Sequence, residues 1–270
     1  MKLCRADKVL LLGAIGVLAS TAIFGPTLLG LGVPAMLLIA LIADGVFRPS
    51  SSVFYPTISR VGGHSDQVAL TFDDGPDPIV TPKILKILGS YDVHATFFVI
   101  GRQLEQQIDV ARSALAAGHE LANHSWQHAY LQSLHGTRSI GQDIDRNSAL
   151  LATLSPRLQA TLYRAPVGLK NPELARASQA RGLAIIAWSI HSRDTIDSNP
   201  KRVAARVLRN IKAGDIVLMH DGHDRAGLHR MCALNALPLI LDGLKERNLR
   251  SVTVSELLRK PAIDATVRRL

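Results

Sequence analysis

Residues 68–76 read VALTFDDGP, a short apolar run that ends in two adjacent aspartates, a glycine and a proline. An apolar run of about 4–8 residues bounded by turn residues is typical of a buried strand. Thr81 and Pro82 then supply an N-cap and a first helical residue, so a helix is predicted to about Ser90. This part of the chain is therefore predicted to be a strand followed by a helix.

The same unit recurs along the chain. Further strands are predicted at 95–100, 120–123, 161–164, 183–189, 215–220 and 250–254, and a helical pattern follows each of them. Seven strand–helix units in succession favour a parallel sheet that curls into a barrel over an open doubly wound sheet. The predicted fold is α/β, an irregular (β/α)7-type barrel, with its chemistry at the carboxyl ends of the strands.

Bulk composition limits the kind of partner. The chain has 270 residues, 47% of them apolar, and a formal charge of +9, which suits anionic surroundings such as phospholipid head groups. Only 4% of residues are aromatic and no basic run is interleaved with them, so nucleic acid is not an expected partner. No obligate protein partner is evident. Cys4 and Cys232 form no disulfide framework, so any metal must be held by histidine and carboxylate.

The N-terminal region differs in kind from the rest. Residues 9–43 contain no charged side chain, which is long enough for membrane spans, and Pro26 and Pro34 interrupt the run. One interpretation is a hairpin of two short spans; another is a single signal segment followed by a second apolar piece; a third is a buried helix pair of a soluble protein. Anchoring in a bacterial cell membrane is the favoured expectation.

The side of the membrane depends on that choice. Lys2, Arg5 and Lys8 precede the apolar run, and positive residues stay cytoplasmic. A hairpin would return the following domain to the cytoplasm, whereas a single anchor would export it. The predicted organisation is an anchor at 1–47, a linker at 48–67, a catalytic domain at 68–262 and a C-terminal tail at 263–270.

Two groups of polar side chains suggest a metal site. Asp73 and Asp74 end the first predicted strand, where adjacent carboxylates repel unless a cation or an arginine compensates them. His124 and His128 follow the third strand, four residues apart, a spacing that lets two imidazoles meet one cation. Two histidines and one carboxylate form a hydrolytic zinc set with an open position for water. An aspartate-rich turn and unrelated surface histidines are the alternatives.

Five motifs together carry a family resemblance. In order along the chain they are TFDDGP at 71–76, HSWQH at 124–128, RAPVG at 164–168, a Trp-Ser…Asp segment at 188–194 and LMH at 218–220. This order resembles the polysaccharide-deacetylase family, which includes chitooligosaccharide, chitin and peptidoglycan deacetylases. The resemblance covers about residues 68–258 and implies the barrel-type fold predicted above.

The resemblance implies roles around the metal. Asp74, His124 and His128 would bind one divalent metal, usually zinc. Asp73 would be the general base, and Arg164 would hold and orient it.

It also implies roles around the substrate. His220 would protonate the leaving amine, and Asp194 would keep His220 protonated. Leu218 would line the pocket for the acyl methyl, and the backbone N–H of Val167 would help stabilise the oxyanion. Trp126 is a candidate for stacking on a sugar ring, with packing beneath its loop as the alternative.

Three positions depart from the family pattern. His191 stands where many members have an acidic residue, Thr195 where many have an aromatic one, and Val167 where a tyrosine is common. These changes affect the shape of the groove more than the catalytic set, which is intact.

The expected function is hydrolysis of the N-acetyl group of an amino sugar in a polysaccharide, oligosaccharide or glycolipid. Two alternatives remain at this point. One is an amidohydrolase acting on a small non-sugar or lipid-linked amide, and the other is a catalytically silent, membrane-tethered glycan-binding protein.

Overall fold

A computed structural model describes residues 3–63, 66–130, 135–154, 161–223 and 229–259. The predicted tail at 263–270, and the predicted end of the catalytic domain at residue 262, lie outside these residues.

Strands and helices alternate along most of the described chain. Its strands are β1 Thr57–Ile58, β2 Gln67–Asp73, β3 Thr96–Val99, β4 Glu120–Asn123, β5 Leu162–Tyr163, β6 Ala184–Ile186, β7 Ile190–His191, β8 Ile216–His220 and β9 Arg250–Ser251. Its α-helices are α1 Arg5–Phe24, α2 Val33–Phe47, α3 Val80–Ser90, α4 Gly101–Gln106, α5 Ile108–Ala116, α6 Thr137–Leu154, α7 Pro172–Ala180, α8 Pro200–Leu208, α9 Met231–Glu246 and α10 Val254–Leu258.

The strands form one parallel sheet in the order β1-β6-β5-β4-β3-β2-β8-β7, with β9 also paired to β2. β6 and β7 lie towards opposite ends of this order, yet only residues 187–189 separate them in the chain. So short a connection spans at most about 14 Å, so the sheet must curl back on itself. The result is a curled half-barrel, which confirms the predicted α/β barrel-type fold; the two-residue strands β1 and β7 were not predicted.

The side chains of β2 point alternately to the two faces of the sheet. Val68, Leu70 and Phe72 belong to the core between the sheet and the helices α3, α5, α8 and α9. Ala69 belongs to a second core inside the curl. Because side chains alternate along a strand, Asp73 shares the inner side with Ala69. The strand therefore delivers Asp73 to the open end of the curl.

The N-terminal region is a helical hairpin. Its two arms, Arg5–Phe24 and Leu28–Phe47, are each 20 residues long with mean hydropathies of 1.7 and 2.1, long and apolar enough to cross a membrane. The arms pack side by side, so closely that a Cβ on Gly13 would lie 2.4 Å from the side chain of Leu38. Leu28 at the tip is 76% exposed. The arrangement matches the two-span interpretation of residues 9–43.

Both ends of the hairpin lie against the rest of the chain. Cys4 and Ala6 are buried in a small apolar cluster with Phe54 and Ala175. Nearby, the carboxylate of Asp7 accepts two hydrogen bonds from the guanidinium of Arg176 on α7, at 2.6 and 2.8 Å. The N-terminal end of α1 is thus docked on α7.

The segment after α2 is also packed. β1 pairs with β6 at the edge of the sheet, and the Tyr55 hydroxyl donates to the carbonyl of Leu183 at 3.0 Å. Arg60 forms an ion pair with the buried Asp215 at 2.5 Å. Residues that composition alone suggests are a linker therefore contribute a strand and core contacts, while the domain boundary at residue 68 stays a prediction.

Phe54→Ala tests whether this segment is structural. Phe54 is 2% exposed and touches Gly45 of α2, so truncation leaves a cavity and should destabilise the fold by about 3–5 kcal/mol. Thermal unfolding of the full chain in detergent should show a clearly lower midpoint. Leu239→Ala, at a side chain 39% exposed, is the matched control and should change it little. Equal midpoints for both variants would contradict an integral role.

Candidate active site

The site begins where β2 ends. In the ladder between β2 and β8, Asp73 is the register partner of His220, so the two strands place these residues side by side. The following residue, Asp74, has φ of 73°, a left-handed conformation that costs energy in a residue other than glycine. This turn breaks the strand alternation, so the two adjacent carboxylates have separate environments.

Arg164 compensates Asp73. Its guanidinium is fully buried and donates to Asp73 Oδ1 at 2.6 Å and to Thr71 Oγ1 at 2.8 Å. The remaining donors reach the carbonyls of Ile186 and Ala187, both at 3.2 Å. A buried cation with this many acceptors is fixed in place. It holds the Asp73 carboxylate in a single orientation.

Asp74, His124 and His128 converge on one point. Asp74 Oδ1 lies 3.6 Å from His124 Nε2 and 3.2 Å from His128 Nε2, and one ligand atom from each residue lies within 4.8 Å of the others. Two ligands of a tetrahedral zinc ion at about 2.0–2.1 Å would be about 3.4 Å apart. The spacing therefore fits a divalent ion with one position left open.

Hydrogen bonding and burial support the same fit. His124 Nδ1 donates to the carbonyl of Arg164 at 2.9 Å, which turns the Nε2 lone pair towards Asp74. Asp74 Oδ1 is buried with no hydrogen-bond partner among the described residues. Burial would raise the pKa of Asp74, but the nearby imidazoles of His124, His128 and His220 hold it well below its usual range. The group is thus an ionised carboxylate directed at two imidazoles.

The loop that carries His124 and His128, here called the histidine loop, is held by hydrogen bonds that the motif analysis did not identify. Asn147 on α6 donates to the carbonyls of Val99 and Ser125, each at 2.8 Å, and to Asn123 Oδ1 at 3.2 Å. Ser125 Oγ accepts from the backbone N–H of His128 at 2.8 Å. The sequence carried one signal for this role, since Asn147 is a polar residue on the otherwise apolar buried face of α6.

His220 and Asp194 form the opposite side of the site. Asp194 accepts from the ring Nδ1 of His220 at 3.0 Å and from its backbone N–H at 2.9 Å. Burial alone would lower the pKa of His220. The charge and hydrogen bond of Asp194, together with the charges of Asp74 and Asp73, raise it to about 9. The imidazole is therefore protonated at neutral pH, as a general acid must be.

A further buried carboxyl lies behind the turn. Asp221 is fully buried, accepts from Thr81 Oγ1 at 2.5 Å, and packs against Gly75, where a Cβ would come within 2.3 Å of it. Burial raises its pKa to about 7, with the charges of Asp74 and Asp77 adding to the effect. Asp221 thus supports the turn between Asp73 and Pro76, a role that no motif indicated.

These residues surround an open cleft of about 360 Å³. Val167 and Leu218, both predicted to contact substrate, line it, and Val167 is 46% exposed with a left-handed φ of 48°. Trp126 is placed differently. It is 5% exposed, and its ring is covered by the Arg146 guanidinium at 3.6 Å, which favours the packing alternative. The aromatic side chains in the lining are those of Tyr130 and Trp188.

Asn147→Leu should weaken metal binding. The substitution keeps the side-chain volume roughly constant but removes the donors that fix the histidine loop, and loss of such supporting bonds typically lowers metal affinity about 10–100-fold. Competition with a chelator would measure the change without any assay of activity. Thr153→Ala, at an exposed position of the same helix, is the control. Unchanged affinity in Asn147→Leu would exclude this supporting role.

Sequence comparison identifies relatives for most of the chain. The family profile described as Polysaccharide deacetylase matches residues 60–186. A peptidoglycan-N-acetylglucosamine deacetylase of Bacillus cereus is 36% identical over 194 residues, covering 71% of this chain and 88% of the relative. A chitooligosaccharide deacetylase of Sinorhizobium fredii is 34% identical over 166 residues, covering 62% and 77%.

Solved structures share the fold. A peptidoglycan N-acetylglucosamine deacetylase in complex with a naphthalenyl N-oxidanyl-benzamide superposes with a TM-score of 0.70 and 26% identity, covering 76% of this chain and 94% of the other. A pseudoenzyme of carbohydrate esterase family 4 from Bacillus anthracis gives 0.68 and 25%, covering 77% and 70%. The fold alone therefore does not decide activity, whereas the identity and coverage of the Bacillus cereus relative decide the family. This chain belongs to the polysaccharide deacetylase family.

Proposed function

We propose that the protein is a metal-dependent N-deacetylase, which hydrolyses the acetamide of an N-acetylated amino sugar in a glycan and releases acetate. The observation that carries this proposal is the pairing of Asp73 with His220 across β2 and β8, next to the Asp74–His124–His128 set. This pairing puts a carboxylate and an imidazole, the proposed base and acid, on neighbouring strands beside a site for a divalent ion. Amide hydrolysis needs both, because the attacking water must lose a proton and the amine must gain one.

Asp73 is the proposed base. When bound, the divalent ion polarises the amide carbonyl and lowers the pKa of water, which supplies the nucleophile near neutral pH. The Asp73 carboxylate accepts the proton of the attacking water. Arg164 donates to one oxygen of that carboxylate and thereby orients it for this step.

His220 is the proposed acid. Its Nδ1 is bound to Asp194, which leaves Nε2 to donate a proton to the departing nitrogen. Leu218, on the same strand, is proposed to contact the acetyl methyl, and the backbone N–H of Val167 to donate to the oxygen that becomes negatively charged. Both residues line the cleft.

Zinc is the proposed metal. Two imidazoles and one carboxylate at tetrahedral spacing form a typical catalytic zinc set, in which a fourth position stays open. The absence of cysteine from this set leaves other divalent ions as competitors, so measuring the metal content of the purified protein is part of the test below.

The hairpin is proposed to anchor the protein in the bacterial cell membrane. Supporting this, its arms are apolar all round and largely exposed, unlike core helices of a soluble protein. Arg5 and Lys8 lie at the same end of the hairpin as Arg48, and positive residues favour the cytoplasmic side. The catalytic residues are then on the cytoplasmic face.

Two alternative functions have less support. A silent glycan-binding protein would have no need for the base, the acid and the ligand set together, and all of these are in place here. A non-sugar amide remains a possible substrate of the same chemistry. A panel of acetylated sugars and small amides separates the two substrate classes.

Asp73→Asn should abolish turnover but not metal binding. Without the base, we expect kcat for acetate release from N-acetylglucosamine oligomers to fall about 10²–10⁴-fold. The measurement compares zinc-loaded full-length protein with the variant, in detergent, and records bound zinc for each. Asp74→Asn should instead lose the zinc, since it removes a ligand.

Asp145→Asn provides the matched control, because its carboxylate is paired with Arg181 at the surface. It should behave as wild type in both measurements. If Asp73→Asn kept full activity, Asp73 would not be the base; if no zinc bound to wild type, the proposed mechanism would fail.

Asp194→Asn should move the pH dependence. The acid acts only while His220 is protonated, so activity falls as the pH rises through its pKa, at or below about pH 9 in wild type. Removing the Asp194 charge leaves burial to lower that pKa, and the alkaline limb of kcat/KM should shift about 1–3 units towards lower pH. An alkaline limb at the wild-type position would contradict the assignment of His220 as the acid.

A further inference from the structure

One wall of the active-site cleft touches the base of the hairpin. Val167 and Gly168 line the cleft, and Gly168 packs between Trp188 and Pro49. A Cβ at Gly168 would lie 2.7 Å from Trp188 and 2.9 Å from Pro49, so the approach is close enough to require glycine. Pro49 follows the last residue of α2 by two positions. The cleft wall and the end of the membrane arm are therefore in direct contact.

Lys170 fastens the same wall to the hairpin. Its backbone N–H donates to the carbonyl of Val46 in α2 at 3.3 Å. Its ammonium group donates to the carbonyls of Pro49 and Ser51, at 2.6 and 2.5 Å. Lys170 is only 4% exposed, and a buried charge that donates to several carbonyls holds them strongly. The loop that carries Val167 is thus held by the end of α2.

The other arm is fastened to the helix that follows this loop. α7 begins after Asn171 and carries Arg176, which binds Asp7 near the start of α1. Cys4 and Ala6 are buried beside it. Both arms therefore meet one face of the catalytic domain, the face formed by the loop 166–171 and α7.

No slack chain joins the hairpin to this face. Ser51 and Phe54 are each 2% exposed, and Ser51 Oγ donates to Asp44 Oδ2 at 2.6 Å. The backbone N–H of Thr57 donates to Ser52 Oγ at 3.1 Å, just where β1 begins. Residues 51–55 are buried or half-buried and the exposed positions Arg48, Ser50 and Pro56 are isolated, so the domain has no long tether on which to move away from the hairpin.

The outer surface of the hairpin fits a bilayer. α1 would be about 30 Å long, the thickness of the hydrocarbon core. Arg5, Lys8 and Arg48 lie exposed at its base, where they complement anionic head groups. At the cleft, Val167 and Ile196 contribute apolar surface that is 46% and 80% exposed. Val167 thus adds apolar surface to the cleft wall that contacts the base of the hairpin.

We propose that the hairpin is a rigid clamp that holds the cleft at the membrane surface, and that the substrate is an amino sugar carried on a membrane lipid. This rests on the proposed deacetylase function and narrows its substrate. A cleft fixed at the bilayer surface meets sugar head groups that stand directly on that surface. It cannot follow a glycan strand that lies a long tether away.

The test compares two substrates with the same sugar. Full-length zinc-loaded protein is reconstituted in vesicles of phosphatidylcholine and phosphatidylglycerol. One substrate is a synthetic N-acetylglucosaminyl isoprenyl phosphate in the same vesicles, and the other is a soluble N-acetylglucosamine oligomer. Confinement to one surface raises the effective concentration, so we expect acetate release from the lipid-borne sugar to be at least about tenfold faster at equal total concentration.

A variant separates the clamp from simple anchoring. A long Gly/Ser insertion between Phe47 and Arg48, combined with Arg176→Ala to release α1 from α7, keeps the protein in the membrane but frees the domain from its fixed position. We expect soluble-oligomer turnover to change little and the lipid preference to fall several-fold. Lys86→Ala, at an exposed residue of α3 outside both the hairpin and the cleft, is the control and should keep the preference.

The outcomes are distinct. Equal or faster turnover of the soluble oligomer by wild type would overturn the lipid-borne substrate and leave the deacetylase function standing. A lipid preference that survives the insertion unchanged would overturn the clamp. No acetate from either substrate, with zinc bound, would instead count against the proposed deacetylase function itself.

Discussion

The buried guanidinium of Arg164 connects the catalytic chemistry to the closure of the sheet. Arg164 follows β5, and its guanidinium lies over the ring of Phe98 inside the curl, between the end of β6 and the carboxyl end of β2. From there it donates to the carbonyls of Ile186 and Ala187 on one side and to Thr71 and Asp73 on the other. A buried cation is costly unless its donors are satisfied, so these acceptors must stay in place. One side chain therefore links the orientation of the proposed base to the end of β6.

Much of this arrangement could be predicted from the sequence, for a physical reason. Buried parallel strands are continuous apolar runs, and the residues after them change abruptly to polar and turn-forming types, so Asp73, His124 and His220 stand out at strand ends. The strands β1 and β7 gave no such signal, because their two residues each lie outside the predicted apolar runs. Their place in the sheet depends on tertiary packing alone.

The supporting contacts were less predictable. Trp126 was an equal candidate for stacking and for packing, and only the positions of Gly101 and Arg146 against its ring distinguish the two. The proline- and serine-rich composition of residues 48–60 suggested a linker. The segment is held in place by residues distant in the sequence, above all Lys170. The buried ammonium group of Lys170 needs hydrogen-bond acceptors and finds them in the carbonyls of Pro49 and Ser51. The sequence of residues 48–60 does not indicate which distant residues they contact.

The left-handed residues in the site have a consequence for the life of the protein in the cell. Asp74, Ser125, His128 and Val167 all have positive φ, and each such conformation costs of order 1–3 kcal/mol. Three of the four lie in the metal-binding segments, where a bound ion would offset the strain and stabilise the folded state by mass action. Molecules lacking the ion would open locally more often and reach proteases first. Metal starvation would then reduce the amount of this protein as well as its activity, and the surviving pool would be enriched in loaded enzyme.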